Sequence, residues 1–218
     1  FISTHLWKLV PILFLITILI PGCKSTKKAP IEIPANANSG EIINMEACVY
    51  KAGDVEYTAD CGLLIVPENR NAPNSRLISL PVTRIRSTGS SPVEAIFFLP
   101  GGPGLPNSGT SRVNWFVDKY DIVIVGYRGV DGSVRLDCPE VSRHIKNLPG
   151  DMLGEASIKS MTGAYAHCAD RLQNEGVDIA GYTVVEVIDD LEAARVTLGY
   201  EKINVFSVSY GTRLAMIY

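Results

Sequence analysis

The chain has 218 residues, of which 46% are hydrophobic and 20% charged, with a formal net charge of −3. This composition describes a globular chain able to bury a core. The mild negative balance and the lack of any sustained basic run exclude nucleic acid as the main partner.

Taken from the start, Lys8 precedes an apolar run, residues 9–20, that is too short to span a bilayer. The run ends in Ile20-Pro21-Gly22-Cys23, similar to a bacterial lipoprotein signal. On that likeness residues 1–22 form the signal peptide, and Cys23 is lipidated as the first residue of the mature chain. The protein is then exported and anchored to a bacterial membrane, at its periplasmic or outer-membrane face. Lys24, by analogy, points to the outer membrane. An ordinary secretory signal and an uncleaved anchor are the alternatives. Residues 23–47 are polar, with Pro30, Pro34, Asn36, Asn38 and Gly40, and read as a flexible tether.

Residues 48–218 read as the folded domain. Segments 62–66, 77–85, 95–99 and 121–125 are strand-like, the last a continuous β-branched run suited to a buried central strand. Residues 158–174 carry Met161, Ala164, Cys168 and Leu172 on one side of a helix. Thr183 is an N-cap for a helix running to Leu198 and stopped by Gly199, with Val187, Leu191, Ala194 and Leu198 at helical spacing. Residues 203–207 form one more strand, and 212–218 are helix-like. Strands alternating with helices predict a mostly parallel sheet covered by helices on both faces.

Two motifs carry chemistry. Ser209 is the centre of Ser207-Val208-Ser209-Tyr210-Gly211, between the last strand and the last helix. A strand, tight turn and helix expose a serine hydroxyl at a helix N-terminus, where unpaired N–H groups favour developing negative charge. About a hundred residues earlier, the strand at 95–99 runs into Pro100-Gly101-Gly102-Pro103-Gly104. Glycines there can leave backbone N–H groups uncovered. Acyl transfer needs two such donors for the tetrahedral oxyanion. Tyr210 supplies one, and Gly102 or Gly101 the other. An ordinary strand-to-helix turn and a plain loop are the bland alternatives for each motif taken singly.

Leu99-Pro100-Gly101-Gly102-Pro103-Gly104, Tyr127-Arg128-Gly129, 183–198 and Val208-Ser209-Tyr210-Gly211-Thr212-Arg213-Leu214-Ala215 together resemble the α/β-hydrolase fold family. The nearest branch is that of the prolyl iminopeptidases and tripeptidyl-aminopeptidase-like enzymes. Pro100 stands where the family often has His, Gly126 where it often has Asp, and Ser207 where it usually has Gly. The resemblance implies an acyl-enzyme on Ser209 and an aminopeptidase of the proline-iminopeptidase type, with no cofactor and no metal. Its substrate is a small peptide or, for a carboxylesterase of the same fold, an ester. A hydrolase-like binding protein without catalysis is the remaining class. In this fold the acid and then the His follow the nucleophile, so both are expected beyond Tyr218. The chain then ends just after the elbow and lacks its own base.

Five cysteines are present, and with Cys23 acylated an even four remain: Cys48, Cys61, Cys138 and Cys168. In an oxidising compartment these allow two disulfides in three pairings. Proximity and the family resemblance favour Cys48 with Cys61 and Cys138 with Cys168. No Cys-x-x-Cys occurs, and His167 beside Cys168 is poorly spaced for a shared metal. His144 and His167 have surface or packing roles, and Asp190 pairs with an arginine while its neighbour Asp189 faces solvent. Arg128 is structural, and Arg213 braces the helix after Ser209. Asn107 and Ser108 stabilise the glycine-rich loop. Trp115 and Phe116 line either a substrate pocket or the core.

Overall fold

The computed structural model describes residues 32–89, 94–148 and 150–218. Residues 1–22 and Cys23 lie outside them, so the expected signal and lipidation site are not described. A β-hairpin opens the domain. Strand β1 (Ile42–Ala52) turns through Gly53 and Asp54 into β2 (Val55–Pro67), with Gly53 at a φ of 64°. A two-residue turn with Gly first suits the twist of paired strands. The segment expected to remain a tether through residue 47 therefore enters the sheet at Ile42.

Then follow β3 (Leu77–Ile85), β4 (Ala95–Leu99), β5 (Asp121–Val125), α1 (Pro139–Ile145), α2 (Glu155–Asn174), α3 (Val184–Thr197), β6 (Ile203–Ser207) and α4 (Tyr210–Ile217). The six strands form one sheet in the order β1-β2-β3-β5-β4-β6. Pairs β1–β2, β2–β3 and β3–β5 are antiparallel, while β4 runs parallel to both β5 and β6. The architecture is α/β, but the sheet is mixed rather than mostly parallel. The reason is local: the short hairpin at residues 53 and 54 forces its strands to reverse, and only the long connections after β4 and β5 permit parallel return.

Helices do not cover both faces among the described residues. Leu191 and Ala194 of α3 and Leu214 of α4 pack on one face, against Val66, Leu80, Phe97 and Val125. The opposite face is closed by Val113 and Val117 with Phe98, Ile122 and Ile124. The β4–β5 connection that crosses this face holds only a single 3-10 turn, Val113–Trp115. Its aromatic side chains do what a helix would do. Phe116 packs 5.2 Å from the Phe206 ring. Strand β4 lies between two parallel neighbours with both faces covered, and all five of its residues are buried.

The helix start at Thr183 forms as expected, its side chain accepting the Glu186 N–H at 3.3 Å. Both cysteine pairs are bonded, Cys48 to Cys61 across the hairpin and Cys138 to Cys168 between the start of α1 and α2. The second bridge sits in a small separate cluster with Leu172 and Val177.

Carboxylates held low by arginine set the acid response. Hydrogen bonds from Arg86 and Arg84 hold Asp60 below its ordinary value, against the opposing effect of burial. Arg195 brings Glu192 down to about 2. Groups with depressed folded values stabilise above the ordinary carboxylate range and lose that contribution as pH falls through the folded value. The thermal midpoint is therefore expected to fall as pH is lowered from about 5 toward 2. Asp60→Asn should flatten part of that slope in a pH series of melting curves.

Candidate active site

Strand order places the site. The chain leaves β4 for β5 on one side and later returns to β6 on the other side. Loops that depart in opposite directions open a crevice beyond the carboxyl ends of such strands. Three segments converge there: Pro100–Gly104 after β4, Tyr127–Gly129 after β5, and Val208–Tyr210 after β6.

Ser209 is exposed and has φ 52° and ψ −119°. It is one of two non-glycine residues at positive φ among those described. A β-carbon in this region costs about 1–3 kcal/mol and persists only where the surroundings hold it. The surroundings do hold it. Val208 donates to the Leu99 carbonyl at 3.0 Å, Gly211 to Val208 at 2.9 Å, and the Thr212 hydroxyl to the Ser209 carbonyl at 2.6 Å. Tyr210 is the first residue of α4, so its N–H has no acceptor within the helix.

Two glycines let the pieces approach. A β-carbon on Gly101 would stand 2.7 Å from Ser209 Cβ and 3.2 Å from its Oγ, so the glycine-rich loop lies directly against the serine. Gly102 and Gly104 have φ of 78° and 80°. Gly211 packs so closely on β4 that any β-carbon would overlap the Leu99 carbonyl. Gly211→Ala is expected to push α4 off the sheet and lower the melting temperature by several degrees. Gly163→Ala, in α2 with open space around it, is expected to be neutral or to stabilise by about 0.5–1 kcal/mol. Thermal unfolding of the two variants side by side checks both.

The loop is tied down at several points. The Asn107 side chain, which is buried, donates to the Val125 carbonyl at 2.9 Å and the Phe98 carbonyl at 3.2 Å. The Asp131 carboxylate accepts the N–H groups of Asn107 at 2.9 Å and Tyr127 at 2.8 Å. The loop-holding role expected of Asn107 is present, whereas Asp131, a carboxylate six residues past the end of β5, carries no distinctive local signal.

A cavity of about 290 Å³ opens beside the elbow, lined by Pro103, Tyr127, Val130, Val184, Val187 and Tyr210. Its wall is largely apolar. Burial raises the Tyr127 phenol well above its ordinary value, which keeps it protonated and unfit as a base. Trp115 and Phe116 do not line this cavity; Trp115 is 59% exposed and carries Arg112 over its ring. His144 and His167 line a different cleft between α1 and α2, with Arg143 and Lys159.

Arg128 is among the residues that line the cavity, and its side chain is buried. It makes a two-pronged pair with Asp190 at 2.6 and 2.7 Å and donates to the Glu68 carbonyl at 2.7 Å. Arg70 closes the cluster on Asp190 at 2.8 Å and on Glu186. The expected Asp190–arginine pair thus exists twice over. Asp189, next to it, is partly exposed. Arg213 is exposed and makes no ion pair among the described residues, so the bracing expected of it is absent.

The described residues thus combine an exposed serine on a held turn, a helix-start N–H, an abutting glycine loop and an apolar cavity. Comparison with known proteins points the same way. The chain is 30% identical over 174 residues to a tripeptidyl aminopeptidase of Streptomyces coelicolor, covering 72% of this chain and 32% of that protein. A tripeptidyl aminopeptidase of Streptomyces lividans matches to the same extent. Serine protease Hip1 of Mycobacterium tuberculosis is 27% identical over 176 residues, with the same coverage of 72% and 32%. Its relatives are peptidases. The comparison supports kinship with serine peptidases, and the chain spans about a third of the length of the curated relatives it matches. No family model matches the chain.

Proposed function

We propose that this chain carries the nucleophile of an exported serine peptidase of the α/β-hydrolase fold, which releases residues from peptide N-termini through an acyl-enzyme on Ser209. The observation that carries the reading is the positive φ of an exposed serine between β6 and α4, with Gly101 against it.

In this reading Ser209 Oγ gives its proton to a general base as it bonds to the substrate carbonyl carbon. The carbonyl oxygen becomes an oxyanion, received by the N–H of Tyr210 and that of Gly102 or Gly101. The C–N bond then breaks, and the amine leaves with the proton from the base. Water repeats the sequence on the ester and frees Ser209. The leaving group departs toward the base. The apolar side chains of Val130, Val184 and Val187 suit the cavity to the acyl side, where an apolar residue of the peptide would sit. A proline-iminopeptidase preference is the finer form of the reading, and the names of the relatives favour a peptide over an ester.

Two disulfides support export, since they persist in oxidising compartments. Export with a lipid anchor on Cys23 belongs to the same proposal.

The test is substrate comparison on the full-length protein: proline-naphthylamide and a tripeptidyl-naphthylamide against short acyl esters. The reading expects the higher kcat/KM on an N-terminal amide. A preference for the esters would make the protein an esterase. Absence of turnover and of fluorophosphonate labelling would make it a binding protein.

A further inference from the structure

We propose that Tyr50 is a positioning residue for the oxyanion loop, and that the Cys48–Cys61 disulfide acts on catalysis through it. The proposal rests on the hydrolase reading above. Oxyanion donors stabilise charge only if they are held in place before the charge develops. The loop that carries Gly101 and Gly102 runs on to a 3-10 turn that begins at Val113, with no regular structure between. Its near end is fixed by Asn107 on the ends of β4 and β5.

Its far end is fixed from another part of the sheet. The Tyr50 hydroxyl accepts the Thr110 N–H at 2.8 Å and donates to the Thr110 carbonyl at 3.0 Å. Thr110 is buried, and Gly109, at a φ of 86°, lies so close that a β-carbon would collide with the Tyr50 hydroxyl and Ile124. Burial raises the Tyr50 phenol above its ordinary value, so the hydroxyl keeps its proton and continues to donate.

Tyr50 belongs to β1, an edge strand whose single ladder partner is β2. An edge strand with one neighbour is the part of a sheet most able to part from it. The Cys48–Cys61 bond links β1 to β2 two residues before Tyr50, and Cys48 and Tyr50 pack against the same core cluster. The bridge therefore holds the strand, the strand holds Tyr50, and Tyr50 holds the loop beside Ser209.

The experiment uses the full-length protein with three changes: Tyr50→Phe, Cys48→Ala with Cys61→Ala, and all of them together. Tyr50→Phe is expected to lower kcat and the rate of fluorophosphonate labelling by about tenfold each, with KM within about twofold. The cysteine pair should give the same pattern, and the combination should lose less than about twofold more, as coupled positions do. A residue with a merely structural role would lower the melting temperature and leave kcat at low temperature unchanged. Wild-type kcat and labelling in Tyr50→Phe would overturn the proposal, and so would full additivity of the two changes. If the unmodified protein is not labelled at Ser209, the hydrolase reading falls and this proposal with it. Labelling that depends on Ser209 but ignores Tyr50 overturns the proposal alone.

Discussion

Ser209→Ala in the full-length protein is expected to cut amide turnover by at least about a thousandfold while leaving the melting temperature close to that of the parent. The size follows from the role. Removing Oγ removes the atom that bonds to the carbonyl carbon, and the oxyanion donors that remain can stabilise only the much slower attack of water. The fold should not suffer. The side chain is exposed, and the bonds that hold the turn run through the backbones of Val208, Ser209 and Gly211 and the side chain of Thr212. Alanine is no worse than serine at positive φ in steric terms, since both have a β-carbon and that of alanine carries only hydrogens. KM should change little, because the cavity wall of Val130, Val184 and Val187 is untouched. Loss of kcat without loss of stability is the pattern of a nucleophile; loss of both would mark Ser209 as a structural residue.

Arg128→Leu is expected to have the largest effect on stability, about 3–5 kcal/mol in denaturant unfolding. Arg128 has a side chain 1% exposed, and it meets Asp190, Glu186 and the carbonyls of Pro67, Glu68 and Gly181. The substitution leaves Asp190 with Arg70 alone and removes a donor from three backbone carbonyls. The asymmetry between making and breaking such a pair explains the size of the loss. Because the same guanidinium joins the end of β2 to α3 beside the cavity, activity should fall along with stability. Arg135→Ala makes the contrast: its pair with Asp137 is solvent-exposed, with side chains 63% and 70% accessible, and screening leaves such pairs worth little. No measurable shift in the unfolding midpoint is expected there.

The parts of this fold legible in the sequence are those with a dense local signal. The run 121–125 is β5 and 203–207 is β6, as expected, because continuous β-branched or apolar stretches bounded by turn residues admit few other readings. Thr183 announces α3 through its own cap bond. The elbow is legible because Ser209, Tyr210 and Gly211 need only each other and the strand before them. The Cys48–Cys61 and Cys138–Cys168 pairs are the ones that proximity and the family resemblance together favour.

What escaped is non-local. Strand β1 is a half-exposed edge with an irregular register between Ile43 and Glu46, so no apolar alternation marks it. Its one clear signal was Gly53-Asp54, a hairpin turn lying between two readable stretches. The mixed sheet follows from that hairpin. The helix-free second face follows from the β4–β5 connection, where aromatic residues replace a helix. Arg70, Glu68 and Glu186 carry no local signal of a buried role. Glu186 is drawn inward by Arg128 and Arg70, both far off in the chain, and Glu68 by the Tyr182 hydroxyl, equally distant, and nothing in a linear pattern reports those pairings. Tyr50 is legible only once β1 is seen to reach Thr110.

The central claim is that the hydroxyl of Ser209 is the nucleophile. Its most direct test is to treat the full-length protein with a fluorophosphonate, digest it, and locate the adduct by peptide mass spectrometry. The account expects a single phosphonyl group on the peptide containing Ser209, lost entirely in Ser209→Ala and slowed by unfolding. An unmodified Ser209 peptide, or an adduct on another residue with turnover intact, would contradict it.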